Sequence, residues 1–343
     1  MAQNATIQDV ADRADVSTGT VSRVLNGPSG SPETRRKVLK AAEELNYRAN
    51  LFARGIRGGR KNCIGILVEG HISAQDPWLE TIGLTMAQVI SGGGYHCMMD
   101  FFRPDENGFP PMLDNVDGAV LLGNYPQQFF EDVRERSNLP LVTCDEKMPY
   151  ENGQSVAIDW KSGMQEALGY LLALEHSRVG LVIAGVEYPA LADRFEGYIE
   201  GLRQYGRDVD EDLIKTTCEM AGSGFEEASE MTEELMIEQS DVSAIIYGSD
   251  CMAVAGMQKL RNLDLRVPED VSVVGFDDSA WARGTVPPLT TVGVDYGDLC
   301  TQMLETLRML LGERSALPSS TIEPDLVRRS STARRGAGDS AKY

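Results

Sequence analysis

Apolar positions near the start of the chain recur at helical spacing. Ile7, Val10, Ala11 and Ala14 mark one face of a short helix, with Thr6 placed as N-cap and Asp9 three residues on in capping-box position. After a turn at Asp15 and Val16, Ser17 caps a second helix with Val21, Val24 and Leu25 inside and Thr18, Gly19, Ser22 and Arg23 outside. Ser31 and Pro32 open a third helix, whose inner side is expected to carry Val38, Leu39, Ala42 and Leu45. Two capped helices joined by so brief a turn predict a helix-turn-helix, the unit whose second helix enters the major groove of DNA. The alternative, an ordinary helical hairpin, does not explain why both caps, the turn and the polar outer face all agree.

Beyond Lys61 the pattern changes. Short apolar runs at 63–68, 96–101, 118–123, 139–144, 155–158, 178–185, 243–248 and 271–276 read as buried strands. Helical patterns lie between them near 78–91, 126–137, 160–175, 194–205, 225–239, 250–260 and 296–311. This alternation predicts an α/β fold with parallel sheets covered by helices, and residues 62–343 are too many for one comfortable core. Between the strands at 96–101 and 118–123 the run RPDENGFPPMLDNVD leaves room only for a turn or a short helical piece. The last segment, 329–343, is polar and rich in small residues and is expected to be disordered.

The net charge of −20 looks unsuited to a DNA-binding protein until it is divided. Residues 1–61 hold eleven basic against six acidic residues, a net of +5. The remainder holds twenty-one against forty-six, a net of −25. Basic charge therefore sits where duplex contact is expected, and the acidic body would repel DNA, so one end docks. No apolar run approaches membrane-spanning length and the N-terminus is polar, which predicts neither anchor nor export signal and no membrane partner. Six scattered Cys without C-x-x-C spacing read as reduced thiols of a cytoplasmic protein. Neither His71 nor His96 has metal or catalytic spacing, and no P-loop, G-x-S-x-G or H-E-x-x-H is present. Cofactors, metals and catalytic residues are accordingly expected to be none, and the protein is expected not to be an enzyme.

The residues TIQDVADRADVSTGTVSRVLN, TRRKVLKAAEELNY and the Ala53–Ile56 stretch resemble transcription regulators of the LacI/GalR type (the lactose- and galactose-repressor family). The resemblance continues through RFEGY (Arg194–Tyr198), Ser249–Ala253, RVPEDVSVVGFDD and PPLTTV, to about Arg328. It implies an all-α helix-turn-helix headpiece (1–49), a hinge helix and linker (50–61), and an effector-binding and dimerisation body (62–328). That body would be two Rossmann-like subdomains, like periplasmic sugar-binding proteins. One would span 62–160 and 290–322, the other 161–289 and 323–328.

For the DNA end, the resemblance makes Thr18, Gly19 and Arg23 the base-reading positions, Arg23 being suited to a guanine edge. Simple phosphate contact is the alternative for Arg23. Ser17, Thr20, Ser22, Asn26, Arg54 and Arg57 would hold the backbone, with Arg60 and Lys61 nearby. Ile56 would wedge into the minor groove, unless it packs on the body. For the effector, the resemblance points to Trp78, Asn124, Asp145, Asp159, Arg194, Ser249 and Asp277, an Arg-and-carboxylate set suited to sugar hydroxyls. Trp78 reads equally as core, Asp250 as the cap of the helix that follows it, and Asp277 and Asp278 as turn residues. Around Glu219 and Met220, where relatives often place an aromatic, none is found. The expected function is a repressor bound as a homodimer to a palindromic operator and controlled by a small carbohydrate. A solute-binding transport protein is the alternative, and the added headpiece argues against it.

Overall fold

The computed structural model describes residues 5–26, 30–45, 47, 60–70, 76–103, 109–144, 148–218, 223–314 and 321–335, with the side chain of Asn26 excepted. The chain separates into two compact units, residues 1–61 and 62–343.

The first unit packs α1 (Ile7–Ala14), α2 (Thr18–Asn26) and α3 (Pro32–Glu44) around Val10, Ala11, Ala14, Val21, Val24, Val38, Ala41 and Ala42. Thr6 Oγ1 accepts from the Asp9 N–H at 3.3 Å and the Asp9 carboxylate accepts from the Thr6 N–H at 2.7 Å, closing the capping box. Asp15 ends α1 in the left-handed region, with φ 54°. Ser17 Oγ accepts from the Thr20 N–H, starting α2. One expected core residue is misplaced: Leu39 is 45 % exposed, and Ala41 takes the inward position. Positions 38, 41, 42 and 45 follow the i, i+3, i+4, i+7 stripe, which residue 39 does not.

The second unit holds two six-stranded sheets. The first has the order β11 (Thr321–Ile322), β5 (Gly153–Ile158), β4 (Leu141–Cys144), β3 (Gly118–Leu122), β1 (Cys63–Glu69), β2 (His96–Phe102), all parallel. The second runs β12 (Asp325–Val327), β10 (Thr290–Gly293), β9 (Ser272–Phe276), β8 (Ala244–Tyr247), β6 (Val179–Ala184), β7 (Ile214–Thr217), parallel except for β12. Central strands such as β1, buried at every residue, need helices on both faces, which is why they lack polar alternation. The first sheet is covered by α4 (Pro77–Gly92), α5 (Gln127–Arg136) and, late in the chain, α11 (Tyr296–Leu310). Helices α6 (Trp160–Ala173), α7 (Pro189–Gln204), α8 (Phe225–Glu238), α9 (Asp250–Asn262) and the short α10 (Ala280–Gly284) belong to the second lobe.

The chain crosses between lobes after β5, after β10 and after β11. The expected return to the first lobe at 290 is corrected by this register. Thr290–Val292 pair with Val274–Phe276 of β9, so β10 belongs to the second sheet and the crossing follows Gly293. Between β2 and β3 the described residues form only a 3-10 turn, Pro111–Asn115, which buries Met112 and Leu113. Helix α7 starts at Pro189, five residues before the expected start, because Pro fits the first helical position.

The expected disorder of 329–343 is corrected for residues 329–335, while 336–343 lie outside the described residues. Ser331 is fully buried; its Oγ donates to Val273 O at 2.6 Å and accepts from the Thr290 N–H at 2.8 Å. Arg329 pairs with Asp278, and His176, buried, bonds Ala333 O through Nε2 at 2.9 Å. A small polar tail can be fixed when buried strand edges need its donors and acceptors. Replacing Ser331 by Ala orphans the buried Thr290 N–H and is expected to cost about 1–3 kcal/mol, read from denaturant midpoints of the whole protein. An unchanged midpoint would show that the tail only rests on the sheet.

Candidate functional site

In the helical unit, α2 turns a polar face outward. Arg23 is exposed, without an ion pair among the described residues, and its Nε donates along the helix to Gly19 O at 3.2 Å. A Cβ on Gly19 would meet nothing nearer than Ser17 Oγ at 3.8 Å, so packing does not demand glycine there. A smooth, side-chain-free spot beside an extended cation suits close approach of a large surface. Thr18, Thr20 and Ser22 are half-buried beside them, while Ser17 and Thr20 are joined hydroxyl to hydroxyl at 2.9 Å. Arg60 and Lys61 follow at the end of the unit. Arg54, Ile56, Arg57 and the Asn26 side chain lie outside the described residues, as do His71, Glu219 and Met220.

In the second unit the carboxyl ends of the strands converge on a cavity of about 140 Å³ between the lobes. From the first lobe come Asp76 and Trp78 at the start of α4, Asn124 after β3, and Cys144 at the end of β4. The GNYP turn carrying Asn124 is anchored by buried Tyr125, which donates to Leu67 O at 2.8 Å. From the second lobe come Tyr188, Arg194, Ser249, Asp250, Cys251 and Asp277, among others. Five expected effector residues, Trp78, Asn124, Arg194, Ser249 and Asp277, therefore share one cavity. Asp145 lies outside the described residues, immediately after Cys144.

Asp159 does not reach the cavity. Its carboxylate accepts from the Ser162 N–H at 3.1 Å and caps α6, which its place at the end of β5 equally explains. The expected cap of α9 is also shifted by one residue. Ser249 caps that helix by accepting from the Met252 N–H at 3.2 Å, leaving Asp250 buried as the first helical residue. Asp250 instead accepts from Thr291 Oγ1 at 2.6 Å and from the Ser279 N–H at 2.7 Å. Gly275 makes this possible: a Cβ there would lie 2.5 Å from Asp250 Oδ1.

Arg194 organises the second-lobe wall. Its guanidinium donates to Gly248 O at 2.6 Å and to Asp277 at 2.9 Å, and lies 4.0 Å from the Trp160 ring centre and 4.8 Å from that of Phe276. Asp277 itself has φ 105°, a strained backbone for a residue with a side chain, which points its carboxylate at Arg194. Trp78 is half-buried at the rim, so the core and pocket readings both describe it.

The acids are far from their ordinary state. Burial pushes the Asp250 carboxyl up to about 8, and the Asp277 charge adds to this. Burial likewise raises Asp277, against the pull of Arg194. Asp76 is pushed up to about 6, mainly by burial and further by Asp277 across the cleft, while the Trp78 N–H opposes. Nothing in the sequence singles out Asp76 and Asp250 as such; before Pro77 and after Ser249 each reads as a helix-start residue.

A folded-state pKa raised above the ordinary 3.8 gives stability that is whole below that value and lost as pH rises through about 6. For Asp76 this difference is worth roughly 3 kcal/mol before discounting its partial exposure. Asp76→Asn keeps a good cap, and is expected to stabilise the protein by about 1–3 kcal/mol above pH ~7 and by nothing near pH ~4. Denaturant midpoints at the two pH values check this; equal effects at both would contradict it.

Two family models match the chain. Residues 6–50 match "Bacterial regulatory proteins, lacI family" and residues 168–332 match "Periplasmic binding protein-like domain". The regulator CelR of Thermobifida fusca is 31% identical over 296 residues, covering 84% of this chain and 86% of CelR. The regulator AscG of Escherichia coli K12 is 28% identical over 338 residues, covering 95% and 98%. Among solved structures, the lac repressor dimer bound to operator and the anti-inducer ONPF superposes with a TM-score of 0.78 at 25% identity, covering 96% of this chain and all of that one. The CelR–cellobiose complex superposes with a TM-score of 0.69 at 27% identity, covering 95% and 99%.

Proposed function

The chain belongs to the lacI family of bacterial regulatory proteins, and from that premise we propose that it is a sequence-specific repressor of transcription whose grip on DNA is set by a small sugar-like effector. The observation that carries this reading is the pairing of two features in one chain. One is a capped helix-turn-helix showing Arg23 on its outer face; the other is an inter-lobe cavity built on Arg194 and carboxylates. Thr18 and Arg23 read bases at a base-facing surface where Gly19 lets the helix come close, Ser17, Thr20, Ser22 and Asn26 hold phosphates, and Arg54, Arg57 and the Ile56 wedge complete the grip in the minor groove. Trp78, Asn124, Arg194, Ser249 and Asp277 hold the effector, which is bound and released unchanged in a cytoplasmic protein.

A homodimer fits this role, because a two-fold protein reads two half-sites about one helical turn apart. Leu84 on α4, Met99 and Phe101 on the edge strand β2, and Trp281 and Val286 at α10 are large apolar residues left exposed, Val286 at 95 %. Helices α4 and α10 touch, which places part of this apolar surface across both lobes and makes it suited to a partner copy that senses lobe closure. An effector acts by binding the open and closed bodies unequally.

The test is to footprint the protein on the DNA upstream of its own gene and to screen small sugars for a change in that footprint. A protected site that some sugar weakens or strengthens supports the reading. Tight sugar binding with no effect on any duplex would favour a solute-binding protein instead.

A further inference from the structure

The cavity has more acid than base. Among its described lining residues Asp76, Asp250 and Asp277 are acidic and Arg194 alone is basic. Arg194 is committed to Asp277. Asp76 and Asp250 have no basic partner among the described residues: Asp76 accepts from the Trp78 N–H at 2.8 Å, and Asp250 from a hydroxyl and an amide. Ser279, also buried in this wall, has an Oγ near enough to Asp250 to help lower its pKa, yet without a hydrogen bond of proper geometry. A polar wall so placed around open space is left to be completed by a ligand.

The placement of the acids matters as much as their number. Asp76 opens α4 on the first lobe; Asp250 and Asp277 stand at strand ends of the second. Resting on the regulator reading above, we propose that the effector carries a protonated amine, as an amino sugar does, and that this cation is held between Asp76 of one lobe and the Asp250–Asp277 pair of the other. Near neutral pH Asp76 is ionised, burial holds Asp250 protonated, and Asp277 is matched by Arg194, so the second-lobe wall carries an acid that a cation would ionise. An ammonium held there pairs with Asp76 and draws the proton off Asp250, gaining one attraction to each lobe, and both are strongest when the lobes are near. The ligand thus binds the closed body better than the open one, which is the condition for it to shift the equilibrium. Sugar phosphates and sugar acids are disfavoured, because they add charge of the sign already in excess.

The experiment titrates the full-length protein near pH ~7 with matched pairs: D-glucosamine against D-glucose, D-galactosamine against D-galactose, D-mannosamine against D-mannose. N-acetylglucosamine and glucose 6-phosphate serve as neutral and anionic controls. The best amine is expected to bind about tenfold or more tightly than its hydroxyl counterpart, as a charge-assisted bond does over a neutral one. Asp76→Asn, which keeps the helix cap, is expected to bring that ratio near one, and Asp76→Glu to retain it. A neutral or phosphorylated sugar as the tightest binder, no binding by any amine, or a preference that survives Asp76→Asn would each overturn the proposal. Operator binding measured on the same samples separates the two claims. Specific DNA binding released by a neutral sugar rejects the amine and keeps the regulator. An amine preference without DNA binding does the reverse.

Discussion

Arg194→Ala is expected to destabilise the body by about 3–5 kcal/mol and to abolish its response to effector. The side chain is 5 % exposed and its partner Asp277 is 8 % exposed, so truncation leaves a buried carboxylate without its cation. It also orphans the Gly248 carbonyl and opens a void between the Trp160 and Phe276 rings. Arg194→Met combined with Asp277→Asn removes the charge from both sides and fills much of the space. The double variant is expected to recover a large part of the stability and none of the ligand response. Chemical denaturation and ligand titration of wild type, single and double variants read both effects. A single variant as stable as wild type would mean that Arg194 serves the ligand alone.

The second large effect belongs to the other unit. Arg23→Ala is expected to cost about 1–3 kcal/mol per half-site in operator binding, roughly fivefold to more than a hundredfold for each contact. The residue is exposed and takes no part in the helical core, so the thermal stability of the protein should not move. Two outcomes distinguish its possible roles. Base reading relaxes the preference at one position of each half-site, whereas phosphate contact weakens all sequences alike and lowers the salt slope by about 1. Binding that is unchanged on every duplex would remove α2 from the interface.

The features legible in the sequence were those with strong local causes. Thr6, Asp9 and Ser17 bond within three residues of themselves, so spacing alone reveals the caps. The buried strands β1, β3, β6, β8 and β9 are nearly continuous apolar runs. By contrast β7 (IKTT), β10 (TTVG) and β12 (DLV) are short and rich in Thr or charge, and became strands only because a neighbouring edge was available. Leu39, a large apolar residue next to Val38, reads as buried by type, while helical geometry gives the inward position to Ala41. Ser331 and Ala333 looked like tail composition, and their partners lie far back in the chain at Val273, Thr290 and His176.

Within the cleft, five of the seven residues named from the resemblance meet as a group; Asp159 caps a helix instead, and Asp145 lies outside the described residues. Asp76 and Asp250 were not legible as a pair, since they are 174 positions apart in the chain and each has a local reading as a helix start. Only the meeting of two lobes gives them a common environment, and only burial there raises both carboxyls. Local chemistry is visible in a sequence; the electrostatics of a site assembled from both halves is not.

The most direct test of the central claim is selection of bound sequences from a random duplex library by the full-length protein, repeated with Arg23→Ala. The account expects an inverted repeat whose half-sites each hold a guanine, with that position losing its preference in the variant. Enrichment of nothing, or of a sequence without two-fold symmetry that the variant selects equally well, would contradict it.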